Sequence, residues 1–243
     1  MRSGPRESIS RVMELVKDYS TPSREVTMPG PIDYQDIPRK MKLEYNFPAA
    51  GRTYKILDQI GGLLVYFQKP HIDLRELMTD AANLLSKQFS LKEVGIGLKE
   101  SDGVYRYEVL VGYRPETEAV TKKLVYTYEQ FTDASIYKGT MISKYTKVFL
   151  SEDNPWLDSE KDSYSVPSLL GMTRRSLDDY LEGDYINTHI FGKNDELVGW
   201  IEFAGTTSGK LPDMSAIRWV EFIGRIIAAA VITQPKGITK RLT

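Results

Sequence analysis

Residues 184–204, DYINTHIFGKNDELVGWIEFA, decide how this chain is organised. Asp184 to Phe191 and Glu196 to Ala204 have the branched and aromatic composition of strands, and Gly192-Lys193-Asn194-Asp195 supplies the turn residues between them. The stretch predicts a β-hairpin. Beyond Gly205 and a polar loop, Leu211-Pro212-Asp213 opens a helix reaching about Thr233. Ile217, Val220, Phe222, Ile223, Ile226, Ile227 and Val231 lie on its apolar side.

An earlier hairpin follows the same logic. Val94, Ile96 and Leu98 alternate with Glu93, Gly95, Gly97 and Lys99, and Ser101-Asp102-Gly103 turns the chain. The alternation assigns Tyr105, Tyr107, Val109, Val111 and Tyr113 to one face of the return strand, with Arg106 and Glu108 on the other. Two amphipathic helices precede it. The first runs from Thr53 through Gln68, with Ile56, Leu57, Ile60, Leu63, Leu64 and Phe67 on one face, and ends at Pro70. The second runs from Asp73, an N-cap, to Phe89. Gly61-Gly62 inside the first helix costs about 1 kcal/mol per glycine relative to alanine, which a close helix contact would explain. Between the hairpins the sequence predicts a short helix from Arg114-Pro115-Glu116 to about Leu124 and a strand from Val125 to Phe131. A loop and short helix follow to Tyr145, then a strand from Lys147 to Leu150 and a long variable region from Ser151 to Gly183.

The chain divides near residue 52. Residues 1–52 read as a short helix ending near Tyr19 and a Pro-rich extended arm. Pro22, Pro29, Pro31, Pro38 and Pro48 oppose regular structure there, while Ile32, Tyr34, Met41 and Phe47 are apolar enough to lie against a folded surface. Residues 53–235 form the main domain, and 236–243 a tail.

Composition narrows the chemistry. With 41% hydrophobic and 27% charged residues and no apolar run of ~18–20 residues, no membrane partner is expected, and the opening lacks a secretory pattern, which sets a cytoplasmic expectation. A net charge of −1, with Lys and Arg scattered, gives no pull toward nucleic acid. The absence of cysteine removes disulfides, thiolate nucleophiles, zinc-thiolate sites and covalent bilin attachment through a thiol. Only His71 and His189 remain for imidazole chemistry. The acidic residues Glu152, Asp153, Asp158, Glu160 and Asp162 lack the turn glycine of a calcium loop and read as solvated, and Thr173-Arg174-Arg175-Ser176 reads as a solvent-facing helix start.

Over roughly residues 55–233, the order helix, hairpin, short helix, strand, the Gly139–Tyr145 segment leading into Lys147-Val148-Phe149-Leu150, second hairpin and final helix resembles GAF domains. The best local match is Gly192-Lys193-Asn194-Asp195-Glu196-Leu197-Val198-Gly199-Trp200-Ile201-Glu202-Phe203. The resemblance implies an α+β fold, with a central antiparallel sheet of about six strands, long helices on one face and a ligand cavity under the loops of the other. The residue pattern of cyclic-nucleotide-binding members is not recognisable here.

By position, the implied cavity draws on Tyr126, Tyr128, Met141, Phe149, Trp156, Tyr164, Leu170, Met172, Asn187 and His189. Aromatic and Met side chains with a few polar handles suit a small planar ligand, and equally a filled core. Apolar helix faces, with Ile60, Leu64, Phe67, Leu77, Ile223 and Ile227 as candidates, set the expectation of a homodimer. Three functional classes stay open. One is a non-enzymatic small-molecule sensor acting through dimer packing and a downstream partner protein. The others are a ligand-free interaction scaffold and a small enzyme.

Overall fold

Asp73 accepts a hydrogen bond from the Glu76 amide (2.9 Å) and Asp213 one from the Ala216 amide (2.7 Å). Each carboxylate satisfies an orphan donor, and so starts one of the two longest helices. The computed structural model describes residues 52–154 and 158–234, together with Pro38 and Met41. The expected N-terminal helix, the rest of the arm, Trp156 and the tail lie outside the described residues.

The elements are α1 (Arg52–Leu64, extended by a 3-10 turn Val65–Gln68), α2 (Leu74–Phe89), β1 (Val94–Lys99), β2 (Tyr105–Val111), α3 (Pro115–Thr121), α4 (Tyr128–Thr132), β3 (Gly139–Met141), β4 (Thr146–Phe149), β5 (Tyr185–Phe191), β6 (Leu197–Phe203) and α5 (Met214–Thr233). One antiparallel sheet of six strands has the order β2-β1-β6-β5-β4-β3. The α+β architecture expected from the sequence is present.

The β5–β6 hairpin forms as its turn chemistry requires. Asn194 and Asp195 both adopt positive φ (57° and 56°), a conformation these side chains tolerate, and the Gly192 amide donates to the Glu196 carbonyl (2.7 Å).

Side chains alternate across the sheet and sort into two cores. Val94, Ile96, Leu98, Val109, Ile186, Ile190, Ile201 and Phe203 face the helices, where they pack with Ile56, Ile60 and Leu63 of α1, Leu77, Met78, Ala81 and Leu85 of α2, and Ile217, Val220, Ile223 and Ile227 of α5. Tyr105, Tyr107, Leu197 and Trp200 face the other way and gather with Phe131 of α4.

Four expectations need correcting. Tyr105 and Tyr107 do not share a face with Val109 and Val111. Ile96 pairs with Val109 but Gly97 pairs with Tyr107, so Glu108 is an extra residue that turns the end of β2 over. The predicted strand Val125–Phe131 is a single bridge at Tyr126, opposite Tyr105, followed by α4. The Thr127 amide donates to the Gln130 side chain (2.7 Å), a helix-starting contact that the Thr-x-x-Gln spacing encodes. The third strand is instead Gly139–Met141, in a segment expected to be loop and short helix. Finally, Gly61 and Gly62 make no close helix contact among the described residues, since a Cβ on either would meet nothing within 4 Å.

The proposed dimer residues divide in a similar way. Ile60 (4% exposed) and the fully buried Leu77, Ile223 and Ile227 belong to the intramolecular core, so they are not available to a partner in the folded chain. Phe67 packs against the edge of that core, and Leu64 is about half exposed. Tyr54, Leu57 and Val65 lie exposed near Leu64 on the outer side of the first helix and its 3-10 extension.

Candidate functional site

On the face away from the helices, the sheet floors a cavity of about 410 Å³. Its shape begins with two glycines. A Cβ at Gly97 would fall 2.0 Å from the Trp200 ring and one at Gly95 2.8 Å from Tyr107, so the bare stretch of β1 is what lets both rings lie across the sheet. Trp200 then meets Tyr107, Phe131 and Tyr126 at centroid distances of 4.9, 5.0 and 5.6 Å, mostly edge-on. Phe149 and Tyr185 stack at 4.5 Å on the opposite side. Gly139 makes room for Phe149, whose ring a Cβ there would meet at 2.5 Å.

The loop between β4 and β5 forms the rim, and an ion-pair clamp holds it. Arg174 donates to Asp184 (2.9 Å) and Glu152 (2.9 Å), and also to the Asp179 carbonyl. Asp184 accepts further from the Ser151 and Leu181 amides (3.0 and 2.8 Å). The segment expected to start a solvent-facing helix therefore supplies the guanidinium that folds this loop.

Carboxylates set the electrostatics. Glu202 sits directly opposite Asn187 across the β5–β6 pair and accepts from the Tyr107 hydroxyl (2.8 Å). Burial pushes it up to about 7 against the lowering effect of the Tyr107 hydrogen bond, and the charge of Glu93 adds to the rise. Burial likewise raises Glu93, opposed by a hydrogen bond from Ser165 and by the Lys92 charge. Glu182 accepts from the Val166 amide (2.8 Å) and pairs with Lys92 at 3.5 Å. Two residues lining the cavity carry a buried polar atom with no hydrogen-bond partner among the described residues: Asn187 Oδ1, on a residue 6% exposed, and Thr121 Oγ1, on one 3% exposed.

Of the residues expected to line a cavity, Tyr126, Phe149, Tyr164 and Asn187 do so. Tyr128, Met141 and Met172 are about half exposed, and Leu170 packs beside Gly183. His189 shares the face of Asn187 but stands against Phe131 (centroids 6.0 Å apart) and lines a separate hollow of about 160 Å³ between β5 and α5. Burial pushes its imidazole down to about 4, helped by Lys147. Sequence reasoning missed Glu93, Tyr107, Glu182, Trp200 and Glu202. A signal existed for Glu202, because a carboxylate alternating with Ile201 and Phe203 two residues after Trp200 belongs on the face of Trp200.

Among the described residues, no group of three or more His, Cys, Asp or Glu could hold a metal ion, and no helix is long and apolar enough to cross a membrane. No family model and no curated protein matches the chain. Solved structures with a similar arrangement include the GAF domain/HD domain protein from Geobacter sulfurreducens (10% identity, TM-score 0.46, covering 65% of this chain and 92% of that one). Others are the GAF domain of an Acinetobacter phosphoenolpyruvate-protein phosphotransferase (7%, 0.45, 72% and 91%) and that of a putative sensor histidine kinase from Pseudomonas syringae pv. tomato (10%, 0.43, 79% and 90%). The element order and the six-stranded antiparallel sheet with long helices on one face are the arrangement that the resemblance to GAF domains implied.

Proposed function

We propose that the domain is a small-molecule sensor that binds an organic ligand on the face of the sheet opposite the helices. The observation that carries this reading is a cavity of about 410 Å³ lined by aromatic rings, two of whose lining residues carry a buried oxygen unpartnered among the described residues. That volume falls in the range of ~300–1,000 Å³ used for small molecules. An unmet buried polar atom costs roughly 1–3 kcal/mol, which a ligand donor would recover.

The output runs through the sheet. β5 and β6 carry cavity residues on one side and pack against α5 on the other, so a ligand that shifts Asn187, Trp200 or Glu202 displaces the floor on which α5 rests. A homodimer formed along the exposed side of Tyr54, Leu57 and Leu64 would pass that shift to a partner protein. The chemistry of this reading is binding rather than turnover.

Native mass spectrometry of the purified protein, followed by release of any bound molecule, tests the proposal. A retained small molecule in a dimer is the expected result. An empty dimer that also binds no metabolite from a cell extract would overturn ligand sensing in favour of a scaffold role.

A further inference from the structure

Four carboxyl groups, those of Glu93, Glu182, Asp184 and Glu202, line the cavity among hydroxyl and amide groups that donate as well as accept. Glu202 and Glu93, 8% exposed, both stand in its wall, and no ion pair to either is present among the described residues, whereas the neighbouring acids Glu182 and Asp184 are matched by Lys92 and Arg174. Among the described residues, one side chain donates a hydrogen bond to the Glu202 carboxylate, Tyr107. Two residues of the lining, Asn187 across the ladder from Glu202 and Thr121, each carry a buried oxygen that has no hydrogen-bond partner among the described residues. Around them stand the faces and edges of Trp200, Tyr126 and Phe131. Aromatic faces attract cations, and carboxylates in a partly desolvated site bind them through charge-assisted hydrogen bonds. An anionic ligand would meet Glu202 with no ion-paired cation beside it among the described residues.

Building on the sensing role proposed above, we infer that the ligand is an organic cation, an amine or related nitrogen base, whose N–H groups bond to Glu202 and Asn187 while its apolar body lies among Trp200, Tyr126 and Phe131. The acceptors give the site its charge selectivity, and the rings give it tolerance for a flat body.

Three indoles that differ only in the charge of their side chain provide the probe: tryptamine (cationic), tryptophol (neutral) and indole-3-acetate (anionic). Isothermal titration of the full chain should show tryptamine binding at least about tenfold tighter than tryptophol, the scale of one charged hydrogen bond, with indole-3-acetate weakest. In Glu202→Gln that preference should fall to about threefold or less. A cooperative urea transition in the variant, measured separately, shows that it is folded. Equal or tighter binding of tryptophol or indole-3-acetate by the wild-type chain would overturn the cation assignment and leave the sensing role standing. A cation preference that survives in Glu202→Gln would also overturn it. Failure of all three probes at millimolar concentration would reject this ligand class, and the released-ligand measurement would then decide separately whether the domain senses anything.

Discussion

The two faces of one sheet follow different rules. Toward the helices, alternate residues of β1, β5 and β6 are aliphatic or Phe, with one Thr, and the fully buried Leu77, Val94, Ile96, Ile201, Phe203, Val220, Ile223 and Ile227 interlock. Toward the cavity, the same strands carry Trp200, Tyr185, Glu202 and Asn187, two glycines that clear space, and in Asn187 Oδ1 a buried atom with no partner among the described residues. Residue by residue along β6, Ile201 and Phe203 build stability while Trp200 and Glu202 build a site. A carboxylate in a cavity wall with no ion-paired cation among the described residues is costly to keep, and the ligand-binding proposal accounts for that cost at Glu202.

That contrast breaks most visibly at Leu77. Leu77→Ala removes a fully buried side chain from the helix-side core and should cost about 2–5 kcal/mol in urea denaturation. A loss well under 1 kcal/mol would show that this core packs far less tightly than described.

Glu202→Gln should act in the opposite direction. The folded chain holds the Glu202 proton up to about pH 7, above the ordinary carboxylate value of 4.5, so the native state binds the more protons between those two values. Stability therefore falls as pH rises through that window and is lowest above it. Removing the charge should stabilise the ligand-free protein by about 3 kcal/mol at about pH 8 and by little at about pH 4.5. A variant less stable than wild type at both pH values would place Glu202 among the ordinary stabilising residues and erase the difference between the faces.

A smaller effect is expected on α1. Gly61→Ala adds a methyl where nothing stands within 4 Å and should stabilise the helix by about 1 kcal/mol, read as a rise in melting temperature. If the chain dimerises along the Tyr54, Leu57 and Leu64 side, sedimentation of Leu64→Glu should show a monomer that remains folded, since Leu64 is about half exposed.

Much of the architecture was legible because it rests on local signals. Asp73 and Asp213 cap their helices, Asn194 turns the last hairpin, and the stripes of α2 and α5 mark their buried sides. What escaped was non-local or ambiguous. The extra residue at Glu108 turns Val109 away from Tyr107 only because β2 pairs with β1 in that register, and nothing in the alternation announces it. Val125 to Phe131 has strand composition, yet the Thr127–Gln130 cap makes a helix of its second half. The site was less legible than the fold. Asn187 was visible as a strand residue on the cavity side, but Glu93 and Glu202 join it only through residues 163–165 and 180–184, which line the same cavity from far along the chain. Tyr128 and Met141 went astray because the element carrying each was misread.

The most direct test is a crystal structure of the purified protein. The account predicts density for a small molecule within hydrogen-bond distance of Glu202 and Asn187 and against the Trp200 ring. A cavity filled by its own side chains, with Asn187 Oδ1 satisfied by a protein donor, would contradict it.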